Sequence, residues 1–243
     1  MIKNLNCNKK NYLTALEKIL LRRSFKLKKN LPIVKKILKD IKKNGDKSLI
    51  KYEKKFNNNS EIILKKNFFN KAIKNLDPKI KKAINISYDR IFKFHKKQKV
   101  ENIFYTDKFK NNLQYKKIPI NSVGIYVPGG NASFPSTVLM NAIPAKIAGV
   151  KRIVMVNPKI HGVQSPGVLY AAKKCGIKEI YCVGGAQSIA SLAYGTKKIK
   201  KVDKIVGPGN AYVATAKKKL FGMVGIDMIA GPSEILIIAD KKN

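Results

Sequence analysis

At 243 residues, with 44% hydrophobic side chains, the chain is long enough to bury a sizeable core as one large domain or a small pair. Its formal net charge of +37, from 51 Lys and Arg against 14 Asp and Glu, ordinarily points to a polyanion partner. The distribution argues against an evolved nucleic-acid surface: Arg22, Arg23, Arg90 and Arg152 are the only arginines, and the lysines are spread through helical stretches among asparagines. Lysine and asparagine filling tolerant surface positions, as an AT-rich coding sequence would give, leaves only non-specific attraction to nucleic acid at low salt. Cys7, Cys175 and Cys182 are odd in number and lack CxxC or zinc spacing, which argues against a disulfide framework and fits a reducing cytoplasm. The N-terminal residues lack the apolar stretch of a signal peptide, and no segment reaches the length of a membrane span. A soluble cytoplasmic protein is expected.

In chain order, Leu13, Leu16, Ile19 and Leu20 form a one-sided helical stripe over residues 11–22, an arm that must fold back on its own chain or lie on a second subunit. From Leu31 to Phe56 a helical pattern is broken at Asn44-Gly45-Asp46, predicting two short helices joined by a turn. Glu61 to Leu64 is a candidate short strand. Asn67 and Asp77 are placed as N-caps, the second with Pro78 at the first helical position, for helices to Leu76 and to about Gln98. His95 sits among basic residues with no carboxylate or second histidine nearby, and a structural role is expected; the same holds for His161. Ile103 to Ile120 alternates as a hairpin turning near Lys110-Asn111-Asn112.

From Ser122 onward strand and helix alternate. Val123, Ile125 and Val127 form a strand that Pro128-Gly129-Gly130 must end, and a helix after Pro135 stops at Gly149. Strands are expected at Arg152–Val156, Glu179–Val183, Val202–Val206 and Glu234–Ala239, with helices at Ser165–Cys175, Ala186–Tyr194 and Ala211–Phe221. Short connections between such elements predict a mostly parallel sheet covered by helices. In such sheets ligands bind beyond the carboxyl ends of strands, where three glycine turns fall: Pro128-Gly129-Gly130, Gly184-Gly185 and Gly207-Pro208-Gly209. Each precedes a helix and offers amide groups to an anion; each is also what a tight connection alone would need. None is a GxGxxG fingerprint. The polar residues at these turns are Tyr126, Asn131, Gln187, Asn210 and Ser233, which read either as ligand contacts or as helix-start, strand and turn residues. Glu234 reads as the start of a strand or a loop anchor rather than a base.

Four blocks, SVGIYVPGGNASFPSTVLMNAIPAKIAGVKRIVMVNP at 122–158, VGGAQSIASLAYGT at 183–196, KVDKIVGPGNAYV at 201–213 and IDMIAGPSEILIIAD at 226–240, resemble histidinol dehydrogenase in order and spacing. The resemblance is strong over Ser122 to Asp240 and loose before it. It implies an α/β chain: an incomplete Rossmann-like parallel sheet flanked by helices, preceded by a mainly helical region of a second, truncated α/β domain. The implied division is an N-terminal helical arm at 1–23, a helical leading region at 24–121, a Rossmann-like NAD-binding domain at 122–233, and a first returning strand at 234–243. It implies NAD contacts at Tyr126, Gln187 and Asn210 and a substrate contact at Ser233. The family oxidises L-histidinol to L-histidine through histidinal with two NAD⁺, the last steps of histidine biosynthesis, as an intertwined homodimer. By the same resemblance its zinc ligands and a proton-handling Glu-His pair would lie beyond Asn243, so no catalytic or metal residue is assigned in this chain. Three expectations follow: a family member whose activity alone is in doubt; a non-catalytic dinucleotide-binding remnant or one half of a split enzyme completed by a complementary chain; or a basic nucleic-acid-binding protein. A shortened gene product in decay, one of two chains that together make the enzyme, or a boundary drawn within a longer chain would each give such a sequence.

Overall fold

The structure, a computed structural model, describes residues 5–99, 101–129, 133–159, 162–229, 237 and 239–240, with the side chains of 20–29 outside the description. Five parallel strands form the central sheet: β3 (Ser122–Tyr126), β4 (Arg152–Val156), β5 (Glu179–Tyr181), β6 (Lys204–Val206) and β7 (Gly225–Ile226), in the order β5-β4-β3-β6-β7. The chain steps outward from β3 through β4 to β5, returns to place β6 on the other side of β3, and steps outward again to β7. Right-handed crossovers then send the helices of the two halves to opposite faces. Accordingly α5 (Pro135–Ile147) and α6 (Pro166–Cys175) pack together on one face, and α7 (Gly185–Tyr194) and α8 (Ala211–Leu220) on the other.

The pleat sorts the core. Ile125, Met155 and Ile180 point into the α5–α6 layer, while Tyr126, Val154, Val156 and Ile205 point into the α7–α8 layer. Both faces are covered, so the strands read as continuous apolar runs rather than alternating ones. The leading region completes the two layers. Helix α1 (Tyr12–Asn44) packs on α7 and α8 through Val34, Ile37, Leu38 and Ile41, joined by α2 (Asp46–Asn57). On the other face α3 (Lys66–Lys74) meets α6, and α4 (Pro78–Lys96) meets α5 and α6.

Several expectations change. The stretches read as separate helices at 11–22 and from Leu31 are one helix, α1, which carries Pro32 inside it and ends at Gly45 with φ +49°. The predicted break at Asn44-Gly45-Asp46 is where it falls. Asn67 is not a cap: α3 starts at Lys66 with Lys65 ahead of it and no side-chain cap, so the start is set by burying Ile73 and half-burying Phe68 and Phe69. Asp77 does cap α4, its Oδ1 accepting from the Lys79 amide at 2.7 Å, with Pro78 in the first turn. Strand β7 is not among the expected strands, because two residues, one of them glycine, carry no usable period. The strand expected at Glu61–Leu64 is a single antiparallel bridge, Ile63 to Tyr181, with Cys182 N–H on the Ile62 carbonyl and Leu64 N–H on that of Ile180. It covers the open edge of β5. The predicted hairpin is β1 (Ile103–Thr106) with β2 (Asn112–Tyr115), antiparallel and exposed. Most of the last expected strand lies outside the described residues.

At the amino ends of β4 and β5, Arg152 meets Glu179 with two hydrogen bonds of 2.8 Å and reaches the Lys201 carbonyl at 2.9 Å. The Arg152 guanidinium, first by its hydrogen bonds, holds the Glu179 carboxyl below its ordinary value. A carboxyl lowered in the folded state adds stability above its unfolded pKa and loses it as pH falls through the folded one. We expect the stability difference between the wild type and Glu179→Gln, read by urea unfolding, to be present at neutral pH and to vanish on acidification below about pH 4. A difference that persists unchanged at pH 2–3 would contradict the pairing.

Candidate functional site

The order β5-β4-β3-β6-β7 reverses direction between β3 and β6, and the crevice beyond their carboxyl ends is where doubly wound sheets bind ligands. The Gly207-Pro208-Gly209 turn is built tightly there. Gly207, directly after β6, has φ +109°, and a Cβ on it would lie 2.2 Å from the Tyr126 carbonyl oxygen at the end of β3. Only glycine lets the two strand ends come this close. A Cβ on Gly209 would likewise sit 2.3 Å from Val213 Cγ1, so α8 springs immediately from the turn.

The Gly207 peptide is held on both sides. Its N–H donates to Asp227 Oδ2 at 2.8 Å, and its carbonyl accepts from Lys217 Nζ at 3.0 Å. Lys217 in turn pairs with Asp227 Oδ1. This buried lysine of α8 and the aspartate after β7 clamp the turn that carries Asn210. Asn210 caps α8, its Oδ1 accepting from the Tyr212 and Val213 amides at 3.1 Å each. On the β4 side, buried Asn157 donates Nδ2 to the Val127 carbonyl at 3.1 Å, and Gln164 Nε2 donates to the Asn157 carbonyl at 2.9 Å. The approach to Pro128-Gly129 is thereby fixed.

At the start of α7 the amides are already engaged. Gly184 N–H donates to Glu53 Oε1 at 2.9 Å and Gly185 N–H to the Tyr126 hydroxyl at 3.2 Å. Gln187 Nε2 shares Glu53 Oε1 at 2.8 Å, and Asn57 Nδ2 takes Oε2 at 2.7 Å. Burial pushes the Glu53 carboxyl up, against the lowering by the Gly184, Asn57 and Gln187 donors. Tyr126 is raised mainly by burial and further by the Glu53 charge, with the Gly185 amide opposing.

These elements surround a cavity of about 940 Å³. Tyr126, Gln187 and Asn210, predicted as a set, line it together with Gly129 and Gly185. Lys55 of α2 and Lys159 after β4 bring positive charge to its wall, Lys159 also bonding Glu61 at 2.8 Å. Tyr212 and Phe56 add aromatic surface. The arrangement offers hydrogen bonds, two cations and flat apolar faces, a chemistry suited to a nucleotide. Of the three glycine turns, those of α7 and α8 have their first amides bonded by Glu53, Tyr126 and Asn210, so their glycines serve close approach as well as any ligand. Asn131, His161, Ser233 and Glu234 lie outside the described residues. His95 is half-buried on α4, its Nδ1 2.6 Å from Gln98 Oε1. Cys175 and Cys182 are buried, their thiols pushed by burial to about 11. Among the described residues no group of three or more His, Cys, Asp or Glu could hold a metal ion.

Fold and cavity thus define a doubly wound α/β protein with a ligand crevice at its topological switch point. A family profile described as histidinol dehydrogenase matches residues 20–243, and the chain belongs to that family. It is similar to the histidinol dehydrogenase of Pelagibacter ubique, 62% identical over 242 residues, covering 99% of this chain and 56% of that protein. It is similar also to histidinol dehydrogenase 1 of Trichormus variabilis, 50% identical over 212 residues, covering 86% of this chain and 49% of that one. The crystal structure of histidinol dehydrogenase from Elizabethkingia anophelis superposes with a TM-score of 0.80 at 41% identity, covering 83% of this chain and 48% of that one. The chain spans about half the length of the curated relatives it matches.

Proposed function

We propose that this chain provides the dinucleotide-binding part of a histidinol dehydrogenase, in the NAD-dependent oxidation of L-histidinol to L-histidine through histidinal. The observation that carries the reading is the convergence of Tyr126, Gln187 and Asn210 on one cavity at the switch point. The cavity fits NAD: its volume suits a dinucleotide, Gly129 and Gly185 bring backbone without side chains to its wall, and Lys55 and Lys159 complement phosphate charge. Bound NAD⁺ would supply a hydride acceptor. Asn210, its Oδ1 spent on the cap, offers Nδ2 as a donor; Gln187, one Nε2 hydrogen engaged by Glu53, offers its carbonyl oxygen; Tyr126 offers its hydroxyl proton. Ser233 is proposed to contact the substrate. The described residues do not provide a zinc donor set, and no step through zinc is derived.

In this reading residues 122–233 form the NAD-binding unit, 1–23 an arm, 24–121 a leading region, and 234–243 the start of a return. The partner is a second copy of the chain or a complementary chain, and the setting is the cytoplasm; among the described residues no helix is long and apolar enough to cross a membrane. Membership in an enzyme family does not favour a nucleic-acid-binding role. We expect the purified chain, given NAD⁺ and Zn²⁺, not to oxidise histidinol by itself. Steady NADH production that depends on both, from preparations free of host enzyme, would overturn that expectation and make this chain a complete catalyst.

A further inference from the structure

The start of α7 is filled from within the protein. Glu53 belongs to α2, more than a hundred residues earlier in the chain, yet its fully buried carboxylate stands at the positive end of α7. One oxygen receives the Gly184 amide and Gln187 Nε2, the other Asn57 Nδ2, so the carboxylate is bonded from the loop, from the first turn of α7 and from its own helix. The next amide, Gly185, is bonded by Tyr126. Two of the three residues proposed to contact the dinucleotide are therefore oriented through this one side chain, Gln187 directly and Tyr126 through the Gly184-Gly185 turn. Without it a buried amide N–H and a buried carboxamide would lose their acceptor, and the turn would rearrange to find another.

We propose that Glu53 is a positioning residue of the dinucleotide cavity, holding the Gly184-Gly185 turn and the Gln187 carboxamide in the arrangement that Tyr126 and a ligand require. This rests on the dinucleotide reading given above. It needs an acceptor oxygen at the place of Oε1 rather than a charge there, which separates two conservative changes. Glu53→Asp keeps the charge but is one methylene short of Gly184; Glu53→Gln keeps the reach and an oxygen. The test is calorimetric titration of NAD⁺ into the wild type and both variants, with amide exchange of Gly184 and Gly185 measured without ligand.

Glu53→Asp is expected to weaken NAD⁺ by about tenfold or more and to deprotect Gly184, while Glu53→Gln stays within about threefold with Gly184 protected. A residue that serves stability alone would lower the unfolding midpoint and leave affinity unmoved. Affinity within threefold for Glu53→Asp with Gly184 still protected would overturn the proposal. Should Glu53→Asp not fold, Glu53→Gln decides: loss of Gly184 protection or a tenfold weaker ligand contradicts it, and retention of both supports it. If the wild type itself does not bind NAD⁺, the dinucleotide reading fails separately, and the exchange of Gly184 and Gly185 in Glu53→Asp still decides whether Glu53 holds the turn.

Discussion

Replacing Gly207 with alanine is expected to cost about 4 kcal/mol, a large share of the ~5–15 kcal/mol that stabilises a typical domain. Two effects add. At φ +109° an L side chain is strained whatever the space, and here the space is taken: the new Cβ would lie 2.2 Å from the Tyr126 carbonyl oxygen and 3.1 Å from its carbon. Those atoms are backbone at the end of β3, so relief requires β3 and β6 to part, and with them the crevice. Gly176 is the control. It too has positive φ, +78°, at the end of α6, but nothing lies within 4 Å of a Cβ there, so alanine should cost only about 1 kcal/mol. Urea unfolding of both variants checks the difference; equal losses would mean that strand approach at Gly207 is not limiting.

The second large effect is expected at Lys217. Its side chain is 7% exposed, and it joins the Gly207 carbonyl to Asp227. Lys217→Met keeps most of the volume and removes the charge, leaving a buried carbonyl without a donor and Asp227 without its cation. The Asp227 side chain keeps 29% of its surface exposed, so water screens the stranded carboxylate and the cost is about 2–3 kcal/mol, less than for a fully buried pair and set mainly by the unpaired carbonyl. Adding Asp227→Asn removes the stranded charge, while its amide oxygen can still accept from the Gly207 N–H. The double variant should therefore recover about 1 kcal/mol or more relative to additivity. Strict additivity in the unfolding cycle would show that the two side chains act apart.

How far these features were legible in the sequence depends on the distance over which each is determined. Apolar runs and glycine stops within a dozen residues set β3, α5, β4, α6, β5, α7, β6 and α8, and the alternation forced a parallel sheet. Strand β7 was not legible, since Gly225-Ile226 gain their pairing only because β6 stands beside them. The run through Pro32 in α1 was not legible either: Val34, Ile37, Leu38 and Ile41 are buried under α7 and α8, a gain that local propensity does not register.

Tyr126, Gln187 and Asn210 came from the four motif blocks, and the structure brings them to one cavity. Glu53, Asn157, Lys217 and Asp227 were missed because their partners are remote in sequence and their residue types are common. One signal was present. In a chain with 14 acidic against 51 basic residues, an acid is the exception. In the second half Glu179 binds Arg152, Asp203 accepts from the Ser122 amide and hydroxyl, and Asp227 clamps Gly207. Glu53, alone among the lysines of α2 after Asp46, belongs with them.

The most direct test of the dinucleotide cavity is a calorimetric titration of NAD⁺ into the chain at about 0.15 M salt, where screening suppresses the pull of a +37 protein on any polyanion. Asn210→Asp is the companion variant, because its carboxylate still caps α8 but can no longer donate to a ligand. The account predicts saturable binding by the wild type that weakens about tenfold or more in Asn210→Asp, with the unfolding midpoint little changed. Binding that fades with salt and treats NAD⁺ like any other polyanion, or no saturable binding at all, would contradict it.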